Sequence, residues 1–307
     1  MNNSKQMDMI NHAELWSYGC NRSSRHKTSR RVILILTPAS RNSAMRLPVS
    51  LGFAVALTFL HLSATAQEVN LGTANNYAVL ACSTITSTGA TVINGGLGLA
   101  PGNAVTGSPI VNGLFDVDDA SAVLAQNDLT TAYNTAAGLA PNQNLTGQDL
   151  GGLTLTPGVY FFASSAQLTG TLTLDDQGNP DAVFVFQIGS TLTTASGSSV
   201  VTINDGGSST PGISTFWQVG SSATLGTATA FEGNILALAS ITADTGATDL
   251  DGRLLAQNGA VTLDDNTITA PPVEVVPEPS TLLLLGTGLA ALFAFGRRFS
   301  LLPGKPE

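Results

Sequence analysis

An apolar residue, a threonine and a variable residue recur along the chain as Leu172-Thr173-Leu174, Leu192-Thr193-Thr194, Ala223-Thr224-Leu225, Ile241-Thr242-Ala243 and Val261-Thr262-Leu263. These steps begin at positions 172, 192, 223, 241 and 261, which gives intervals of 20, 31, 18 and 20 residues. The long interval contains an insertion rich in Gly and Ser, residues 205–212. Short alternating strands at such a period, separated by glycine turns, predict coils stacked into a β-solenoid. Stacked strands lie about 4.8 Å apart and successive side chains alternate faces. The flanking apolar residues therefore point inward and the threonines form an outward column, which an earlier copy, Ile85-Thr86-Ser87, extends. The decamers TGATVINGGL at 88–97 and TGATDLDGRL at 245–254 are alike, so both ends of the repeat region use the same unit.

Composition narrows the chemistry. Only 11% of residues are charged and 6% aromatic, with a formal net charge of −9. Between residues 67 and 270 the one basic side chain is Arg253, and there is no His or Lys. Nucleic acid is excluded as a partner, because phosphates need clustered Lys and Arg. Ser-His, Cys-His and Schiff-base catalysis lack a partner residue, and His-built metal sites are absent, so no enzyme activity, cofactor or metal is predicted. The adjacent carboxylates Asp118-Asp119, Asp175-Asp176 and Asp264-Asp265 are the material for a polysaccharide-cleaving or Ca²⁺ site. Neighbours on a strand face opposite ways, however, and Asp175-Asp176-Gln177-Gly178-Asn179-Pro180 is turn chemistry, so these acids read as solvated turn residues.

The ends of the chain read as processing segments. Residues 1–44 are polar and aperiodic, an over-extended gene start. Residues 45–66 form a signal peptide: Arg46, an apolar run at 49–60, and Ala64-Thr65-Ala66 as the cleavage site. The exported solenoid domain is then 67–270, followed by a linker at 271–280, a hydrophobic segment with an arginine cluster at 281–298, and a tail at 299–307. Cys20 falls in the leader, which leaves Cys82 without an internal partner. It is either a small core residue beside Leu80 and Ala81 or a thiol that pairs between molecules.

Within the domain, residues 69–99 alternate in a strand and turn pattern. Over 116–137 the period changes: Ala122, Ala125, Leu129, Ala132 and Ala136 share one helical face. Asp116, Asp118 and Asp119 suit the helix start and Gly138 its stop. Gln187-Ile188-Gly189-Ser190 and Gln218-Val219-Gly220-Ser221 match and set the register of two coils.

Two resemblances follow from motifs. Val276-Pro277-Glu278-Pro279-Ser280, the apolar run at 282–295 and Arg297-Arg298 resemble the PEP-CTERM sorting signal. That implies removal of the tail by an exosortase-type membrane protease, transient contact with the membrane, and export to the cell surface or medium; a single-pass anchor is the other reading of the same run. Leu71-Gly72-Thr73-Ala74, Gly151-Gly152-Leu153-Thr154-Leu155-Thr156-Pro157-Gly158-Val159-Tyr160, Phe216-Trp217-Gln218-Val219, Phe231-Glu232-Gly233-Asn234-Ile235-Leu236-Ala237 and Gly252-Arg253-Leu254-Leu255-Ala256 resemble the microbial ice-binding-protein-like domain. The resemblance implies a right-handed β-solenoid of triangular cross-section, with one long α-helix alongside and the N-terminal part lying next to late coils. It also implies a secreted ice-binding protein, whose partner is ice or an ordered water surface. The residues that carry this reading are Thr173, Thr193, Thr224, Thr242 and Thr262 in the column, with Thr227 and Thr245 three residues after two of them. Two further readings stay open: a column that only stabilises its own sheet, and a non-catalytic matrix or adhesion protein with exopolysaccharide as partner.

Overall fold

The repeat resolves into coils of three short strands, each strand paired in parallel with its counterpart in the next coil. The computed structural model describes residues 69–207 and 214–272. The leader, the signal peptide, the tip of the 205–212 insertion and the sorting motif with Pro277, Glu278, Pro279, Arg297 and Arg298 lie outside the described residues. A seven-stranded sheet runs in the order Ala166–Leu168, Leu192–Thr194, Ala223–Leu225, Ile241–Ala243, Val261–Asp264, Thr84–Thr88, Ala104–Thr106. This is the threonine face. The other two faces form one 15-stranded sheet, because Ala230–Ala237 and Thr248–Ala256 turn the corner and belong to both. The second face carries Thr171–Asp175, Ser199–Ile203, Thr267–Thr269 and Val92–Asn94. The third carries Gly158–Phe162, Phe184–Ile188, Thr215–Val219, Tyr77–Ala81 and Gly96–Leu99. Three faces per coil make the cross-section triangular.

Spatial order departs from chain order where the resemblance implies it should. The N-terminal strands stack after the last coil, with Thr86 opposite Thr262, Val79 opposite Leu254 and Ile93 opposite Ile268. The two similar decamers thus lie on nearby coils, one residue out of step. Their alignment equates Val92 with Asp249, whereas Ile93 and Asp249 both pair with Ile268. That offset places Asp249 among inward hydrophobes.

The helix is Ala120–Gly138, shorter at its start than the predicted 116–137. Asp116 stays in strand Phe115–Val117 and accepts the Tyr77 hydroxyl at 2.6 Å, while Asp118 turns the chain at φ 54°. Asp119 is the cap, its Oδ1 accepting the Ala122 N–H at 2.9 Å. Gly138 is the last helical residue and Leu139 the C-cap. The alanine stripe is buried as predicted, and Ala125, Leu129 and Ala132 pack on Leu80, Val185, Leu236 and Leu255 of the third face. Gln187 Nε2 donates to the Ala136 and Leu139 carbonyls at 2.8 Å each, meeting acceptors that a helix end leaves open. The matched pair is in register, Gln187 opposite Gln218 and Ile188 opposite Val219.

Cys82 is buried and disulfide-bonded, its partner outside the described residues. Both sequence readings of Cys82 rest on setting Cys20 aside with the leader; the bonded state of Cys82 corrects the core-thiol reading.

Inside the triangle the heaviest side chains form a stack. Tyr160 lies 5.4 Å from Phe186, Phe186 3.9 Å from Trp217 and Trp217 5.0 Å from Phe231, between ring centroids. The Trp217 indole N–H donates to the Glu232 carbonyl at 3.1 Å, so the ring is both packed and polar-satisfied. Trp217→Ala is expected to lower stability by about 3–5 kcal/mol, read from the midpoint shift in chemical denaturation.

Candidate functional site: the threonine face

Parallel pairing turns the sequence repeat into a physical column. Thr193 pairs with Thr224, Thr224 with Thr242, Thr242 with Thr262, Thr262 with Thr86, and Thr86 with Thr106. At the strand spacing, six threonines in succession span about 24 Å. From Thr193 to Thr86 their neighbours in each strand, such as Ile241 and Ala243 beside Thr242, are buried, so the backbone beneath that part of the column is fixed by the core. Among the described residues Gln167 ends it, opposite Thr193.

The hydroxyls of this face sort by direction. Of those pointing inward at the corner, Thr194 and Thr229 share a bond of 2.8 Å, Thr194 Oγ1 accepts the Gly226 N–H, and Ser198 donates to the Leu168 carbonyl, while the buried Ser87 hydroxyl has no partner among the described residues. Two residues before the column, Thr191 donates to Ser165, and Ser222 and Ser240 accept the N–H groups of Ser240 and Ala260. By contrast, Thr86, Thr106, Thr193, Thr224, Thr242 and Thr262 make no side-chain hydrogen bond to any described residue. They present methyl and hydroxyl groups to solvent from a rigid sheet.

Thr227 and Thr245 sit in the turns that leave the face and are exposed. The Ala228 N–H donates to the Thr245 carbonyl at 3.0 Å, and Gly197 N–H to the Thr227 carbonyl at 2.9 Å, so the turns stack with the strands. Asp264 borders them, accepting Thr88 Oγ1 at 2.6 Å and the Thr245 hydroxyl. These hydrogen bonds hold its carboxyl below the usual range.

Thr173 is displaced from the predicted column. It points outward but lies on the second face, opposite Val201 and Thr154. The same apolar-Thr step occurs on two faces of a coil, and its spacing of 20 to Thr193 links strands of different faces. Conversely, Thr106 belongs to the column; the step Val105-Thr106-Gly107 was the available signal.

Residues 79–269 match the family model described as Ice-binding-like. The chain belongs to the ice-binding-like family. A relative named "Ice-binding protein" from Nostoc sp. (strain HG1) is 56% identical over 256 residues, covering 80% of this chain and 93% of that one. The crystal structure of an ice binding protein from an Antarctic Biological Consortium superposes with a TM-score of 0.63 at 42% identity, over 75% of this chain and 97% of that chain. The ice-binding protein of Antarctomyces psychrotrophicus superposes with a TM-score of 0.63 at 40% identity, over 66% and 98%. Residues 275–298 match the PEP-CTERM protein-sorting motif, which marks this ice-binding-like protein as exported.

Away from the threonine face, acidic residues line the corner between the second and third faces of this family member. Asp249 is fully buried, and neither carboxyl oxygen has a hydrogen-bond partner. Gly252 leaves room for it: a Cβ there would lie 2.4 Å from Asp249 Oδ1 and 2.1 Å from the Gly233 carbonyl oxygen. Burial, then the charge of Glu232, pushes Asp249 well above the usual carboxylate range. Burial also raises Glu232 and Asp251, and burial with Asp205 and Asp175 nearby raises Asp176 to about 6. Each of these acids holds its proton more tightly folded than unfolded. The stability they contribute is therefore complete below the unfolded carboxylate value, near pH 4, and is lost as pH rises through the folded values, the Asp176 step falling near pH 6. Asp249→Asn is expected to raise the melting temperature by a few degrees at pH 8 and to leave it unchanged at pH 4. Calorimetry at the two pH values checks this, and an equal shift at both would show that the proton is not the cause.

Proposed function

We propose that this protein binds ice through the threonine face, as an exported antifreeze or recrystallisation-inhibiting protein. The observation that carries the reading is the unbroken column of six threonines whose hydroxyls have no partner among the described residues. A ladder serving only its own sheet would bond its hydroxyls within the sheet, as the neighbouring Ser165-Thr191 pair does. Freed hydroxyls and methyls at strand spacing can order water into a layer that merges with the lattice. Each contact is weak, and a preorganised surface adds many without an ordering cost. The relatives named for ice binding support the same reading. Thr193, Thr224, Thr242 and Thr262 carry it, with Thr86 and Thr106 extending it and Thr227 and Thr245 along its rim; Thr173 serves the second face.

The role is non-catalytic. Asp264 is tied to two hydroxyls, and its neighbour Asp265 occupies a turn at φ 55°, so the two carboxylates do not converge on a substrate. The exported solenoid is 67–270, and removal of the sorting tail by an exosortase-type protease releases it. A matrix or adhesion role with an exopolysaccharide partner is the second reading, favoured by the sorting motif; retention of the protein on the producer's own exopolysaccharide, with no thermal hysteresis, would establish it instead.

Thermal hysteresis and ice recrystallisation provide the test. Thr224→Tyr and Thr242→Tyr should each abolish most activity, because a bulky outward ring lifts the flat face from the lattice across several coils. Their stability should change by less than about 0.5 kcal/mol, as outward substitutions usually do. Asn134→Tyr on the exposed side of the helix and Thr173→Tyr on the second face should keep full activity. Full activity in both threonine-face variants would sink the assignment.

A further inference from the structure

Most of the large apolar side chains left exposed on this protein gather at one end of the solenoid. The last coil consists of Ala104–Thr106, Ile110–Val111 and Phe115–Val117, and no described strand pairs with their outer edges. Val105, Val111, Phe115 and Val117 pair with Ile85, Ile93, Leu97 and Leu99, all of the interior core. Residues paired in a parallel ladder point the same way, so these four side chains floor an open end. The helix starts at this end too. Gln126 donates to the Ala256 carbonyl, whereas the far end of the helix is held through Ala136 by Gln187, so Val123 and Leu124 lie on the open-end side of Gln126. Ile110, Leu114, Phe115, Val123 and Leu124 are five of the nine exposed large hydrophobic residues among those described. At the opposite end Leu145, Leu150 and Leu155 are buried over the interior. Terminal coils ordinarily turn a polar surface outward, and a clustered apolar patch marks a surface that meets something other than water.

The exit of the chain indicates what it meets. Residues 275–298 match the sorting motif, whose apolar run at 282–295 brings the uncleaved chain to the membrane. Strand Thr267–Thr269 lies two strand spacings, about 10 Å, from the outermost strand Ile110–Val111. It lies five spacings, about 24 Å, from Thr154–Leu155 at the opposite end. Nine residues, 273–281, join Pro272 to the apolar run, and nine residues span at most about 30 Å. A domain on so short a tether stays beside the bilayer, with its open end the nearer. Charge disfavours a second copy as the occupant. The open end is rimmed by Asp116, Asp118 and Asp119, and the one basic side chain between residues 67 and 270, Arg253, is buried, so two open ends brought together would repel.

We propose that, in the uncleaved chain, the open end rests on the lipid surface. Phe115 and the exposed apolar residues around it enter the boundary between headgroups and acyl chains, and the carboxylates of the rim stay in water. Five partly exposed side chains hold weakly by themselves, but a short tether raises the local concentration to the order of millimolar. The solenoid axis then stands off the bilayer, and the threonine face looks sideways into solvent. This rests on the reading in which the sorting tail holds the uncleaved chain at the membrane, and it is independent of what the threonine face binds.

The test uses the full chain with its tail, expressed in a host without the sorting protease, reconstituted with phosphatidylcholine vesicles and carrying p-benzoylphenylalanine in place of Phe115. Irradiation is expected to attach phospholipid, read by mass spectrometry, in at least fivefold higher yield than from the same photoprobe at Gln143, exposed at the opposite end, or at Leu250, exposed on the second face. Leu114→Ser with Leu124→Ser, both outside the core, should cut the yield from position 115 at least threefold while the chain still floats with the vesicles. A chain that does not float would refute the reading of the tail, and this proposal with it. A chain that floats overturns the proposal alone if position 115 attaches no phospholipid, crosslinks instead to a second chain or to another segment of its own, labels no better than position 143, or labels undiminished in the double variant.

Discussion

Because each coil hydrogen-bonds in parallel register to the next, the direction of a side chain in one coil sets its direction in all those stacked on it. Ile241, Val261 and Ile85 share one inward column, while Thr242, Thr262 and Thr86 share the outward column beside it. The threonine face follows from the same backbone ladder that builds the core.

Register alone does not join the ends of the chain. The N-terminal strands must find the last coil across a long stretch of sequence, and Arg253 sits at that joint. It is fully buried and donates from Nη1 to Asn234 Oδ1 at 2.9 Å, from Nε to the Asn75 carbonyl and from Nη2 to the Pro271 carbonyl, both at 3.2 Å. One side chain thereby ties the incoming N-terminal segment, a middle coil and the departing C-terminus. Burial lowers its pKa to about 10, which leaves it charged at neutral pH. A planar group with several fixed donors suits three acceptors at separate positions, where the compact ammonium of a lysine would not reach them all.

The corner near that joint carries the opposite problem. Asp249 occupies an inward position whose neighbours in the ladder are Phe231 and Ile268, and burial pushes its carboxyl well above the usual carboxylate range. The threonine face titrates on different terms, with Asp264 ionised and hydrogen-bonded at its edge. The solenoid therefore separates a pH-sensitive interior corner from an outer face whose hydroxyls do not titrate.

Much of this was legible in the residues. Apolar-Thr steps at coil spacing carried the solenoid, the paired Q-[IV]-G-S segments carried the register, and the alanine stripe carried the helix and its buried side. The family motifs carried the late docking of the N-terminal strands. What the residues left undecided was which face a given step occupies. Leu172-Thr173-Leu174 and Leu192-Thr193-Thr194 look alike because alternation is a local property of a strand, while the sheet a strand joins depends on where the turns before it fall. The same limit concealed Thr106 and the one-residue offset that buries Asp249. Period, alternation and family follow from the residues alone; which threonines meet in one column depends on tertiary pairing, since only the stacked backbone brings residues from different coils within one strand spacing.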